Sequence, residues 1–130
     1  MTTPNDPRGT VDKMFAAFGA GDIDELLTTV AADSHWTYIG ANPTLSRAEF
    51  TGHDKVRRFF EGILERLDMS EFRTDEYLVD GDTVVIFGGE AGTVRATGKA
   101  FRNEWTQKYT VRDNLITTMV EYNVQVEPRT

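Results

Sequence analysis

The stretch Phe101–Val126, FRNEWTQKYTVRDNLITTMVEYNVQV, decides the fold. Large apolar side chains alternate with polar ones from Phe101 to Val111, which is the period of a β-strand with one buried face. Turn-forming residues at Arg112-Asp113-Asn114 interrupt the run, and a further strand-like segment continues from Leu115 to Val126. The stretch therefore predicts two long antiparallel strands joined by a turn.

The chain before this pair extends the same sheet. Glu71–Val79 alternates loosely, Asp80-Gly81-Asp82 is a turn signal, and a β-branched run begins at Thr83. This run continues to Arg95, and Thr97-Gly98-Lys99 turns the chain back into Phe101. Together these segments predict a four-stranded antiparallel meander.

Three glycines lie inside the second strand of this meander, at Gly88, Gly89 and Gly92. Glycine is unfavourable in a flat strand but suits a sheet that bends or a backbone that must approach something closely. A long bent sheet that wraps around a long helix forms a half-barrel, or cone. The open end of such a cone is hard to fill with side chains, so we expect a ligand pocket there.

Three segments have the helical period. The first is centred on Val11–Phe18, the second begins at Asp22, and the third and longest runs from about Asp54 to Leu67 with an unbroken apolar stripe. A short aromatic strand, His35–Ile39, precedes the third helix. Helices early and strands late favour the α+β class. The predicted fold is a cone-shaped half-barrel of a curved antiparallel sheet wrapped around a long helix, with three helices in all.

Composition and charge narrow the class of partner. The net charge of −7 disfavours nucleic acid, which needs a basic surface. Cysteine is absent and no apolar run approaches a membrane span, so a cytoplasmic protein without membrane contact is the expectation. Residues 1–8 are polar and carry two prolines, which predicts a disordered tail before a single domain over 9–127.

The order of the motifs resembles a known superfamily. The motifs are Gly19-Ala20-Gly21-Asp22 between two helices, Ala31-Ala32-Asp33 before an aromatic strand, Thr51-Gly52-His53-Asp54 at the third helix, and Val111–Ile116 with Glu121-Tyr122 beyond it. This pattern resembles the nuclear-transport-factor-like superfamily, which includes ketosteroid isomerases, SnoaL-like polyketide cyclases and limonene-epoxide-hydrolase-like proteins. The resemblance covers nearly the whole chain and implies the fold, whereas the fold by itself does not imply an activity.

The ketosteroid isomerase resemblance does not carry over its catalytic set. Matching without gaps puts Met14, Tyr38 and Gln107 where those enzymes have a tyrosine, an aspartate base and a protonated aspartate. Met14 cannot donate a hydrogen bond, and Tyr38 is a phenol that stays protonated at neutral pH. Isomerisation by that machinery is therefore not expected.

The epoxide-hydrolase resemblance retains more. It puts Glu90 and Glu121 at the two carboxylates, each one carbon longer than an aspartate. Trp36 and Tyr38 fall at the positions of a tyrosine and an asparagine that help to hold water, and Gly88 replaces the bridging arginine. The resemblance thus implies a paired-carboxyl site without its arginine.

The residues themselves also point to this pair. Glu90 lies at period two between Gly88 and Gly92, so its side chain faces a stretch without flanking side chains. Glu121 shares a strand face with Met119 and Asn123. If both faces line the cone, burial raises both pKa values, and mutual repulsion raises one further. One carboxyl could then act as general acid and the other as general base. The alternative is that either glutamate points to solvent or makes a structural hydrogen bond.

One face of the strand from Phe101 mixes aromatic and amide side chains. A dry core would avoid unpaired amides, so this mixture favours a pocket wall dotted with polar groups. A packed core whose amides are satisfied internally is the alternative. The residues expected to bind the ligand, on this strand and its neighbours, are Trp36, Tyr38, Asn103, Trp105, Gln107, Met119 and Asn123.

No metal or cofactor is expected. His35 and His53 are the only histidines, and no third ligand stands at a recognisable spacing from them. The glycines around Glu90 do not precede a helix, so they do not form a phosphate loop.

Three functional hypotheses follow. The first is a cofactor-independent acid–base enzyme of isomerase, cyclase or hydrolase type, in which Glu90 and Glu121 exchange protons with a small hydrophobic molecule. The second is a non-catalytic domain that binds such a molecule. The third is a dimerisation domain whose pocket has lost its role. The resemblance also implies a homodimer formed through the outer face of the sheet.

Overall fold

The computed structural model describes residues 4–41 and 45–126 of the chain. Three helices and six strands follow one another across this part, and the predicted four-stranded meander is confirmed. The bounds are α1 Pro7–Gly19, α2 Ile23–Leu27, β1 Val30–Ala41, β2 Leu45–Thr51, α3 His53–Arg66, β3 Leu67–Asp80, β4 Thr83–Val94, β5 Ala100–Arg112 and β6 Leu115–Gln125.

The six strands form one sheet in the order β2-β1-β6-β5-β4-β3. The predicted α+β cone is confirmed, with one correction to its sheet. β1 lies parallel to β6, whereas the other neighbouring strands are antiparallel. The difference arises because α3 carries the chain to the far edge of the sheet. The meander then returns to β1 with its last strand running in the same direction.

The edge of the sheet is more extensive than expected. β1 begins at Val30 rather than at His35, and β2 was not predicted at all. β2 is an edge strand whose Arg47 and Glu49 face outwards, while Ala48 and Phe50 line the interior cavity. Charged residues are common on edge strands because they discourage pairing with another chain.

The N-terminal residues belong to the fold from Pro4 onwards. α1 begins at Pro7, inside the segment 1–8 expected to be a disordered tail, because the Asp6 side chain caps the helix at the Gly9 amide. Proline suits the first turn of a helix because it has no amide to leave unpaired. Asn5 and Asp6 also hydrogen-bond to Asn114 in the β5–β6 turn, at 2.9 and 2.7 Å. Residues 1–3 of the expected tail and residue 127 of the expected domain lie outside the described residues.

The helices cover the concave face of the sheet, and the core fills one half of the cone. Near the β3–β4 and β5–β6 turns, Val11, Leu26, Val84 and Ile116 are completely buried. In the other half, β3 bulges twice against β4, opposite the segments around Gly88 and Gly92. Bulges bend a strand and increase its twist. The bent half of the sheet therefore stands away from the helices and leaves space in the interior.

Candidate functional site

A cavity of about 420 Å³ occupies the bent half of the cone. α1, α3 and the inner face of the sheet enclose it, so its walls are mostly aromatic and aliphatic. The predicted site residues that line it are Trp36, Tyr38, Glu90, Asn103, Gln107, Met119, Glu121 and Asn123. The structure therefore brings together every predicted site residue except Trp105.

Glu121 is held by two amide groups. Its two carboxyl oxygens accept hydrogen bonds from the side-chain amides of Gln107, at 2.8 Å, and Asn123, at 2.9 Å. The strand register explains both contacts, because Gln107 lies directly opposite Glu121 on β5 and Asn123 follows two residues later on the same face of β6. The Glu121 carboxyl is thus buried, and each of its oxygens accepts a hydrogen bond from a neutral amide.

Tyr109 fixes the orientation of one of these amides. Its hydroxyl donates to the carbonyl oxygen of Gln107 at 2.7 Å, so the amide nitrogen of Gln107 is the atom that faces Glu121. Tyr109 is completely buried, and burial raises its pKa well above the ordinary value, so it remains a donor. The chain Tyr109–Gln107–Glu121 was not predicted, although the alternation from Phe101 placed Gln107 and Tyr109 on one face and Glu121 was expected to line the cone.

Glu90 has a simpler environment. Asn103, which lies opposite it on β5, donates to one carboxyl oxygen at 3.0 Å. No described residue donates to the other oxygen. The neighbouring positions at period two are Gly88 and Gly92, where a Cβ atom would collide with the Trp105 ring or with β3. The glycines thus allow close packing on both sides of Glu90 and leave its carboxyl facing the cavity.

Both carboxyl groups bind protons more tightly than exposed glutamates do. Burial, together with the negative charge of Glu90, raises the pKa of Glu121 to about 7 against the lowering effect of the two amides. Burial also raises the pKa of Glu90, while the hydrogen bond from Asn103 lowers it. Near neutral pH Glu121 is therefore partly protonated and can release a proton.

Tyr38 and Trp36 line the cavity from β1, but they offer different groups. Burial raises the pKa of Tyr38, as do the charges of Glu121 and Glu90, so its phenol remains protonated. Its ring lies over Gly40, where a Cβ atom would come within 2.8 Å of the ring. The indole nitrogen of Trp36 donates to Ser34 at 2.8 Å, so Trp36 presents only its apolar ring.

Trp105 does not lie on the cavity wall, which corrects the sequence-based assignment. Its ring stacks on Phe72, with centroids 5.4 Å apart, and approaches the backbone at Gly88. The bend of β4 at this glycine admits the indole into the packed layer beneath α1. The indole nitrogen has no hydrogen-bond partner among the described residues.

Sequence reasoning also missed the wall formed by α3 and β2. Phe59 contacts Tyr38, Trp36 and Phe50, with ring centroids 5.0 to 6.2 Å apart. The apolar stripe of the third helix predicted a core face, and nothing in its period distinguishes a face against side chains from a face against a cavity. Arg66, at the end of α3, is exposed and also borders the cavity.

The described residues contain no group of metal-ligating side chains. His53 bonds to the Val30 carbonyl at 2.7 Å, and His35 contacts Thr51 and Glu49 on the surface. Both histidines have structural partners outside the cavity. Among the helices that the structure describes, none is long and apolar enough to cross a bilayer.

Comparison with known proteins places the chain in a family. Residues 11–119 match the SnoaL-like domain, so the chain belongs to the family of SnoaL-like domains. None of the curated proteins matches the sequence.

Solved structures share the fold over nearly the whole chain. An NTF2-like protein of Burkholderia xenovorans LB400 is 28% identical, with a TM-score of 0.80 over 90% of this chain and 88% of that one. An NTF2-like protein of Burkholderia thailandensis E264 is 25% identical, with a TM-score of 0.79 over 93% and 92%. One of Burkholderia pseudomallei K96243 is 22% identical, with a TM-score of 0.76 over 88% of each chain. These likenesses agree with the family assignment and with the predicted resemblance.

Proposed function

We propose that the chain is a cofactor-independent acid–base enzyme that acts on a small, mainly hydrophobic molecule in the cavity. The observation that carries the proposal is the presence of Glu90 and Glu121 in one apolar cavity, both with raised pKa values. Perturbed carboxyl groups that share a cleft are typical of catalytic sites. The reaction would be of the isomerase, cyclase or hydrolase type.

The surroundings of the two carboxyls support different roles. Glu121, whose pKa is about 7, is partly protonated at neutral pH and can act as a proton donor or acceptor. Glu90 has one oxygen without a donor among the described residues, so this oxygen can receive a proton from substrate or water. Tyr38 can donate a hydrogen bond to a developing negative charge, because its phenol stays protonated.

A solvent-exchange experiment tests the proposal. α-Tetralone, a small bicyclic ketone, would be incubated with the protein in D₂O, and loss of the proton signals next to the carbonyl would be followed by NMR. A parallel sample with styrene oxide tests hydrolysis. We expect catalysed exchange or hydrolysis that falls at least about a hundredfold in Glu90→Gln or Glu121→Gln, the effect of losing a general acid or base.

A non-catalytic binding domain is the second candidate. It is favoured by one observation, namely that both oxygens of Glu121 already accept amide hydrogen bonds, as in a structural network. Under this alternative both probes would bind in the cavity, their turnover would equal the background rate, and the two glutamine variants would change only affinity. That result would contradict the enzymatic proposal.

We also propose a cytoplasmic homodimer that forms through the outer face of the sheet. Phe87 and Tyr122 flank Thr106 in one row across β4, β5 and β6, and they are 40% and 54% exposed, with Val124 nearby at 59%. Contiguous exposed apolar side chains mark association surfaces. Light scattering should give twice the 14.6 kDa chain mass for the wild type and the monomer mass for Tyr122→Glu. A wild-type monomer would contradict the dimer.

A further inference from the structure

The charges of the cavity are unbalanced. Among the described residues that line it, the carboxyls of Glu90 and Glu121 lie in the interior, and the one cationic side chain is the exposed Arg66. The Nε atom of Arg66 donates to the Gly62 carbonyl, and no cation of the described chain lies within ion-pair distance of either glutamate. Buried carboxylates without a cationic partner are costly to ionise. The cavity therefore favours an occupant that brings a positive charge.

The unpaired hydrogen-bonding atoms of the acidic wall indicate the same kind of occupant. Asn103 and Asn123 direct their amide nitrogens to the two carboxyls, so their amide oxygens remain free of any bond from the described residues. The second oxygen of Glu90 is free in the same sense. All three of these oxygens are acceptors, and an ammonium group has three donors and no acceptor.

The wall next to the carboxyls offers aromatic faces. Tyr38 lies beside Glu121 in the β1–β6 pairing, and its ring continues into Phe59, Trp36 and Phe60 with centroids 5.2 to 6.2 Å apart. Aromatic faces attract cations, most strongly where water is excluded. The same rings provide the apolar surface that a hydrophobic body would need.

From these three features, we propose that the molecule bound in this cavity is an apolar amine. Its protonated nitrogen lies between Glu90 and Glu121 beside the Tyr38 ring, and its hydrophobic body packs on the aromatic side chains of α3. This inference rests on the proposed site, to which it adds the charge and the shape of the ligand. It adds no chemical step.

Proton exchange distinguishes an amine from a neutral ligand. A bound cation stabilises the ionised carboxyls, so binding near pH 7 releases the proton that Glu121 partly retains. A neutral apolar ligand displaces water and leaves the charges less solvated, so binding takes up a proton. The two ligand classes therefore give proton exchange of opposite sign.

A matched pair of probes makes the comparison direct. 1-Naphthylmethylamine and 1-naphthylmethanol share a ring system and differ in one charged group. Calorimetric titration at pH 7 in phosphate and in Tris, whose ionisation enthalpies differ, gives both the dissociation constant and the number of protons exchanged. We expect the amine to bind about tenfold more tightly than the alcohol. We also expect proton release for the amine, and a smaller preference at pH 5.

Variants locate the charge. Glu90→Gln and Glu121→Gln should each reduce the preference for the amine, because each removes one carboxylate but retains the shape of the side chain. Glu76→Gln removes the same charge from the exposed surface of β3 and should leave the preference unchanged. An equal loss in all three variants would show a long-range charge effect and would overturn the inference.

The outcomes separate this inference from the proposed function. If the alcohol binds as tightly as the amine and takes up protons, the amine is excluded and the acid–base proposal stands. If neither probe binds while the glutamates titrate above their usual range, the inference about the ligand's charge fails and the acid–base proposal stands. If neither probe binds and both glutamates titrate normally, the inference and the proposed function both fail.

Discussion

The two cavity glutamates lie on the same sheet but in different surroundings. Glu121 accepts hydrogen bonds at both oxygens, and the chain Tyr109–Gln107 fixes one of its donors. Glu90 accepts one hydrogen bond, from Asn103, and lies on a strand bent by glycines. Although Glu121 has more donors, its pKa is raised to about 7, because its burial and the charge of Glu90 outweigh the two amides.

The comparison shows which property suits each carboxyl for proton transfer. At Glu121 the protein controls how tightly a proton is held, through burial and an oriented amide network. At Glu90 the protein leaves an oxygen available, because Asn103 is the one described side chain that donates to this carboxyl. A site with these two properties can store a proton at one position and exchange it at the other. Substitutions that disturb the two surroundings separately test this division.

The largest expected effect is on the pH dependence of stability. Folded Glu121 titrates near 7 and unfolded glutamate near 4.3, so the folded form binds more protons between these values. The stability that protonated Glu121 contributes is therefore fully present below about pH 4 and is lost as the pH rises through 7, by about 4 kcal/mol in total. Urea denaturation across this range should show that Glu121→Gln removes most of this loss.

The matched variants sharpen this result. Gln at position 121 can keep both contacts, because the Asn123 amide can rotate to accept a hydrogen bond. Glu90→Gln should reduce the same loss less, and exposed Glu76→Gln should not change it. If the stability of wild type and Glu121→Gln varied in parallel with pH, Glu121 would not carry the raised pKa.

A smaller effect is expected from the chain that orients Gln107. Tyr109→Phe leaves the buried carbonyl oxygen of Gln107 without its donor, which costs about 1–2 kcal/mol of unfolding free energy. It should also raise the pKa of Glu121, because Gln107 then donates less reliably. Thr93→Val, which removes an exposed hydroxyl from β4, is the control and should change stability by less than about 0.5 kcal/mol. Equal effects of the two variants would contradict the orienting role.

The smallest effects are expected from substitution of the two asparagines. Each substitution should change the pKa of the one carboxyl that the asparagine contacts. Asn123→Ala removes one of two donors from Glu121 and should raise its pKa, and Asn103→Ala should do the same for Glu90. Each variant should lower the unfolding free energy by about 1 kcal/mol. Carboxyl NMR of each variant checks the assignment. A variant that moved only the pKa of the other glutamate would require a different hydrogen-bond network.

The sequence predicted strand faces well, because alternation reports burial directly. The period from Phe101 placed Asn103, Gln107 and Tyr109 inside, and the glycines around Glu90 indicated the bend. It did not predict the bond between Tyr109 and Gln107, because a shared face does not specify which side chains meet. Trp105 lies on the predicted face but outside the cavity, because the bend that leaves Glu90 facing the cavity also admits the indole to the core.

The parts that sequence reasoning missed have physical causes of their own. β2 is short, and it carries charged residues on its outer face because it lies at the edge of the sheet. A short run of alternating charged and apolar residues is a weak signal for a strand. The cavity wall on α3 looks like an ordinary core stripe, since a helix face carries the same residues against a cavity as against a core. Both features depend on the spacing of distant elements.

The most direct test of the account is a carboxyl NMR titration of the free protein, compared with Glu90→Gln and Glu121→Gln. The account predicts that Glu121 titrates near 7, that Glu90 titrates above about 4.3, and that Glu90→Gln lowers the pKa of Glu121, because the charge of Glu90 is one cause of that raised pKa. That result would establish one buried, interacting pair. If both glutamates titrated near 4.3 and neither responded to the loss of the other, the pair would not be an acid–base unit.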